Sequence, residues 1–130
     1  MKIMIVDDEP TILLSLSYLL SNKETTVITC STIAEAESEL ASCTIDLVIA
    51  DIRLSGMYDI EGIELISHIK GTHADTAVII MTAFGTDEMK EMAYKLGAFH
   101  YYEKPIDISN LISKVQKIGI RKSSKIDRCA

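Results

Sequence analysis

Residues 2 to 10 read KIMIVDDEP: an apolar run, Lys2 to Val6, that meets two adjacent carboxylates, Asp7 and Asp8, and then Glu9 and Pro10. A short Ile- and Val-rich run that stops at charges reads as a strand covered on both faces, and Pro10 suits the first turn of a helix that follows it. The same punctuation recurs along the chain. Strands are expected at Lys2 to Val6, Thr26 to Cys30, Ile45 to Ala50, Ala77 to Met81 and Phe99 to Tyr102, with stretches of helical period between them.

Ile12, Leu13, Leu16, Leu19 and Leu20 fall on one helical stripe, as do Ile108, Leu111, Ile112, Val115 and Ile118. Thr32 with Glu35 three residues on reads as a capping box that opens a second helix along Ile33, Glu37 and Leu40. Gly62, Leu65, Ile66 and Ile69 mark a third. Met89, Met92, Ala93 and Leu96 mark a fourth, with Asp87 and Glu88 in its first turn and Gly97 as its stop. The fold class is α/β: a doubly wound, five-stranded parallel sheet of (βα)5 plan with strand order 2-1-3-4-5.

The chain has 130 residues, enough for one domain, and 48% of them are hydrophobic. Its net charge of −6 disfavours direct nucleic-acid binding. The longest apolar run, near Val78 to Met81, is far short of the about 20 residues that span a bilayer, and no signal peptide is legible at the start. A cytoplasmic protein is expected. Cys30, Cys43 and Cys129 form no CxxC pair and read as reduced thiols, and His68, His73 and His100 lack ligand spacing. Residues 121 to 130, RKSSKIDRCA, carry a balance of +3, which leaves −9 on the first 120. That division sets a domain over 1–120 and a solvated basic tail, or the start of a linker, over 121–130.

In an open parallel sheet, ligands bind beyond the carboxyl ends of the strands where strand order reverses. The residues expected there are Asp7 and Asp8 after the first strand, Asp51 after the third, Thr82 after the fourth and Lys104 after the fifth. Three close carboxylates repel unless a cation joins them, and an oxygen-only set suits Mg²⁺. Asp51 can then attack a phosphorus atom while Lys104 and Thr82 receive the phosphoryl oxygens. Each residue taken singly has a plainer reading: Asp7 and Asp8 as helix caps, Asp51 as a turn residue, Thr82 as a helix-entry hydroxyl, Lys104 as a solvated charge. Their coincidence at the correct strand ends favours a site.

DDEP at 7 to 10, the DIR from Asp51, MTAFGT at 81 to 86 and YYEKP at 101 to 105 resemble the receiver domain of two-component response regulators, a flavodoxin-like fold. The wording MTAFGT and KLGA is most similar to receivers attached to ATPase-type transcription activators. The resemblance implies that Asp51 accepts a phosphoryl group from a histidine kinase or phosphotransfer protein. It implies that Asp7 and Asp8 hold Mg²⁺ together with Asp51 and the Arg53 carbonyl, and that Thr82 and Lys104 contact the phosphoryl group. It also implies a cis Lys104-Pro105 bond. Tyr101 matches the family's switch aromatic and is expected on the surface near Met89 and Met92, turning inward on phosphorylation. The face of the fourth helix, fifth strand and fifth helix is expected to meet a downstream effector, or a second copy. Ser55 stands where the family usually has Pro, and Gly56 to Glu61 reads as an insertion.

Two other classes compete. A Mg²⁺-dependent phosphatase with an aspartyl-phosphate intermediate generally needs a second aspartate two residues after the nucleophile, where this chain has Arg53. A flavin-binding module of this topology needs a phosphate loop after the first strand, where Asp7 and Asp8 repel phosphate. A signalling receiver, not a turnover enzyme, is the expected reading.

Overall fold

A computed structural model describes residues 1–51, 59–83 and 85–129, with side chains for all of these except 59–62 and 123–129. The elements alternate as expected: β1 (Lys2–Val6), α1 (Pro10–Leu20), β2 (Thr26–Cys30), α2 (Ile33–Ser42), β3 (Leu47–Asp51), α3 (Asp59–Thr72), β4 (Ala77–Thr82), α4 (Asp87–Lys95), β5 (His100–Glu103) and α5 (Ile108–Cys129). The five strands form one sheet in the order β2-β1-β3-β4-β5, and every pairing is parallel.

Alternation along β1 sorts the core into two layers. Met4 and Val6 pack with Ala36, Leu40, Leu65, Ile66, Ile69 and Ala93, so α2, α3 and α4 cover one face. Ile3 and Ile5 pack with Leu16, Leu20, Leu111, Val115 and Ile118, so α1 and α5 cover the other. Both faces of the central strands are therefore dry, which is why their sequences are apolar without alternation.

Strand ends differ from expectation by one or two residues. β3 begins at Leu47 rather than Ile45, because the Asp46 carboxylate accepts the Lys2 N–H (2.7 Å) in place of a ladder carbonyl. Asp51 and Thr82 are the last residues of their strands and do not lie past them, since the registers Asp51↔Met81 and Thr82↔Glu103 carry the ladder one step further. In the second helix's box, Thr32 Oγ1 accepts the Glu35 N–H (3.1 Å), while the Glu35 carboxylate reaches past the cap to the Ser31 N–H (2.8 Å). Gly97 ends α4 with φ +108°, a left-handed conformation that glycine adopts without strain. α5 runs through positions 121 to 129, so the basic segment lies on a helix. Ser55 and Gly56 to Tyr58 lie outside the described residues; Asp59 to Glu61 form the start of α3. No described helix is long and apolar enough to cross a membrane.

Candidate functional site

The site grows from the meeting of β1 and β3. Val6 pairs with Ala50, so the next residue on each strand, Asp7 and Asp51, projects from the same edge. Asp7 is fixed from both sides. Its N–H donates to the Cys30 carbonyl (3.0 Å), and its Oδ1 accepts the Glu9 N–H (2.9 Å), turning the chain into α1. The N-cap of α1 is Glu9, whose own side chain makes no cap hydrogen bond, and Asp7 Oδ1 serves the helix entry while Asp7 Oδ2 stays turned to the site. Among the described residues, Asp7, Asp8 and Asp51 each offer a carboxylate oxygen within 4.8 Å of the others.

Lys104 arrives from the opposite direction. Its N–H donates to the Thr82 carbonyl (2.8 Å), and the expected cis bond to Pro105 is present. Its Nζ lies 2.9 Å from Asp7 Oδ2 and 2.9 Å from Asp51 Oδ2, bridging the two strands. Glu9 Oε1 is 3.5 Å from the same ammonium, a contact that nothing but its place in DDEP announces.

Burial raises the Asp7 carboxyl above the ordinary aspartate range, with Asp51 adding to the rise; the Glu9 N–H and Lys104 oppose it. Burial alone would depress the Lys104 ammonium. Its hydrogen bonds to Asp51 and Asp7 outweigh that effect and hold its pKa above the usual lysine value. Three carboxylates against one ammonium leave about two negative charges facing an oxygen-only pocket, a donor set and charge that fit a hard divalent cation.

Thr82 is fully buried at the end of β4. Tyr101 departs from expectation: its side chain is 5% exposed and lies inward, not on the surface. The reason is Gly85. A Cβ built there would fall 1.9 Å from the Tyr101 hydroxyl and 2.8 Å from Thr82 Cγ2, so a bare backbone makes the ring's seat possible. The glycine sits in plain view inside MTAFGT, but only the fold brings it against a residue sixteen positions away. Arg53 lies outside the described residues.

A sequence profile described as Response regulator receiver domain matches residues 3–116. The chain is 37% identical over 113 residues to the DNA-binding transcriptional regulator NtrC of Escherichia coli K12, covering 87% of this chain and 24% of that protein. It therefore spans about a quarter of the length of that relative. It is 31% identical to Sporulation initiation phosphotransferase F of Bacillus subtilis, over 89% of this chain and 91% of the relative. Among solved structures, the beryllofluoride-activated NtrC4 receiver domain dimer aligns with a TM-score of 0.81 at 26% identity, covering 90% of this chain and 94% of that one.

Proposed function

The chain belongs to the response regulator receiver family of two-component signalling, and from that premise we propose that Asp51 accepts a phosphoryl group from a partner's phosphohistidine in a Mg²⁺-dependent reaction. The observation that carries the proposal is the Lys104 ammonium bridging Asp7 and Asp51 beside Asp8 at the switch point of the sheet.

In this reading, an Asp51 carboxylate oxygen attacks phosphorus. The new P–O bond forms as the P–N bond to the partner's imidazole breaks, and the imidazole leaves with its electron pair. Asp7, Asp8, Asp51 and the Arg53 carbonyl would hold the metal, which when bound supplies positive charge against the transferring phosphoryl oxygens. Lys104 exchanges one of its carboxylate contacts for a phosphoryl oxygen, and the Thr82 hydroxyl donates to another. Tyr101, seated behind Thr82, carries the change to α4 and β5, where an effector or a second copy docks. The NtrC4 receiver dimer and the transcriptional regulator NtrC support such partners, and the phosphotransferase supports relay to another protein.

The receiver occupies residues 1–120 and works in the cytoplasm, with 121–130 leading out of it; its only chemistry is its own phosphorylation and dephosphorylation. These relatives do not favour the phosphatase alternative. Incubation with a small phosphoryl donor and Mg²⁺, followed by intact mass measurement, should give one labile adduct. Asp51→Asn should give none while keeping the parent's circular dichroism; full labelling of that variant overturns the assignment.

A further inference from the structure

At the other end of the sheet, a cavity of about 360 Å³ is used by none of this chemistry. Its lining includes three cations, Lys70, Arg121 and Lys122, one acid, Asp75, and an apolar wall of Phe99 and Ile118. The cations come from two elements, Lys70 from the last turn of α3 and the other two from α5. The loop between α3 and β4 draws two of them together. Lys70 Nζ donates to the Thr76 carbonyl (2.7 Å), and Lys122 Nζ donates to the Asp75 carbonyl. The Lys70 stem lies against Gly97, where a Cβ would come within 3.2 Å of its Cγ. The Arg121 guanidinium stands 5.9 Å from the centre of the Phe99 ring.

This is an unfavourable gathering of charge. Burial, then the charge of Lys122 and that of Arg121, push the Lys70 ammonium below its ordinary pKa, and Asp75 opposes them only in part. With Asp75 counted, the lining carries about two positive charges in a chain whose total is −6. A dianion would offset them, and the planar fork of an arginine suits a phosphate. The volume lies in the range of roughly 300–1,000 Å³ typical of small-molecule sites. The Arg121 guanidinium lies over the Phe99 ring, and the outer side of that exposed guanidinium offers a flat seat for a ligand's ring. A polyanion such as nucleic acid would meet the repulsion of the remaining acidic surface.

We propose that this cavity binds a small phosphorylated ligand of the nucleoside monophosphate class, its phosphate among Lys70, Arg121 and Lys122 and its ring stacked on the Arg121 guanidinium beside Phe99. The ligand would also fasten α5 to the α3–β4 loop, because the cations that hold it come from both sides of that contact.

The test is calorimetric titration of the full chain with 5′-AMP and with inorganic phosphate, in chelator and at fixed ionic strength. Neither probe transfers a phosphoryl group to Asp51. AMP should bind more tightly than phosphate. Arg121→Gln and Lys122→Gln should each weaken AMP about tenfold or more, as expected for loss of a charged hydrogen bond. Arg121 is exposed, so its replacement does not threaten folding. Asp51→Asn should bind AMP as the parent does. Equal affinity in parent and both charge variants, or no binding of AMP at millimolar concentration, overturns the proposal. Loss of binding in Asp51→Asn would move the ligand to the acidic end, and phosphate binding as tightly as AMP would remove the ring seat.

Discussion

Lys104 and Lys70 are drawn inward at opposite ends of one sheet, and their surroundings act on them in opposite senses. Hydrogen bonds to Asp51 and Asp7 raise the first ammonium's pKa despite its burial. Burial and two neighbouring cations lower the second's. The difference follows from topology. In a parallel sheet built of βα units, every helix starts at the carboxyl ends of the strands and finishes at their amino ends, so the peptide dipoles favour anions at one end and cations at the other. The carboxylate cluster and the lysine in the last turn of α3 each lie where that field suits them. The dipoles thus help to seat fixed side-chain charges of opposite sign at the two ends.

Breaking the acidic half should have the largest effect. Lys104→Met leaves the fully buried Asp7 without its cation, and loss of one partner of a buried pair costs about 3 kcal/mol or more. Urea denaturation in chelator should show this, with most of the loss recovered in Lys104→Met/Asp7→Asn. A single variant as stable as the parent would mean that the pair does not govern this end. Asp7 also fixes the sign of a pH dependence. Its folded pKa lies above its unfolded value of about 3.9, so the folded state keeps its proton longer and stability falls as pH rises through the interval between them. Asp7→Asn should flatten that slope.

Filling the acidic half is next in size. Mg²⁺ at a hundred times its dissociation constant should stabilise the fold by about 2.7 kcal/mol, since only the folded chain assembles the three carboxylates. Thermal melting of the parent against Asp8→Asn checks this, and a melting temperature indifferent to Mg²⁺ in the parent would exclude the metal.

A smaller effect is expected behind the site. Gly85→Ala should displace the Tyr101 ring and cost about 1 to 2 kcal/mol, as overpacking does. Tyr101→Ala should relieve the clash, so the double variant should lose less than the two single losses added together. Strict additivity would mean that the two residues do not meet.

The smallest effect belongs to the basic half. Because the folded pKa of Lys70 is lowered, the unfolded chain binds its proton more tightly, and stability rises with pH between that lowered value and the ordinary one near 10.4. Lys70→Met should remove this rise while changing stability at neutral pH by less than about 1 kcal/mol. A slope that persists in the variant would assign the titration elsewhere.

The acidic half was legible in the sequence because its residues are local punctuation. Asp7, Asp51, Thr82 and Lys104 each follow or close an apolar run, and a parallel sheet collects strand ends automatically. The strands themselves were legible for the same reason, to within a residue or two. What stayed hidden depends on contacts between distant segments. Nothing near Gly85 announces the tyrosine that needs its missing side chain, and nothing near Lys70 announces Arg121 and Lys122. Lys70 stands among the apolar residues of α3, and the other two open a basic stretch that composition alone describes as a solvated tail. Tyr101 was expected on the surface because a motif identifies a residue type but does not choose a rotamer.

β5 is an edge strand of the sheet, and an open edge is where one chain can add to another. Lys104 N–H points at β4, so by alternation the Tyr101 N–H points away from it, into the space where a sixth strand would pair. It donates instead to the Tyr94 hydroxyl of α4 (3.1 Å). An incoming strand would have to strip that hydroxyl away before it could template on this side, so a helix residue guards the sheet against runaway polymerisation.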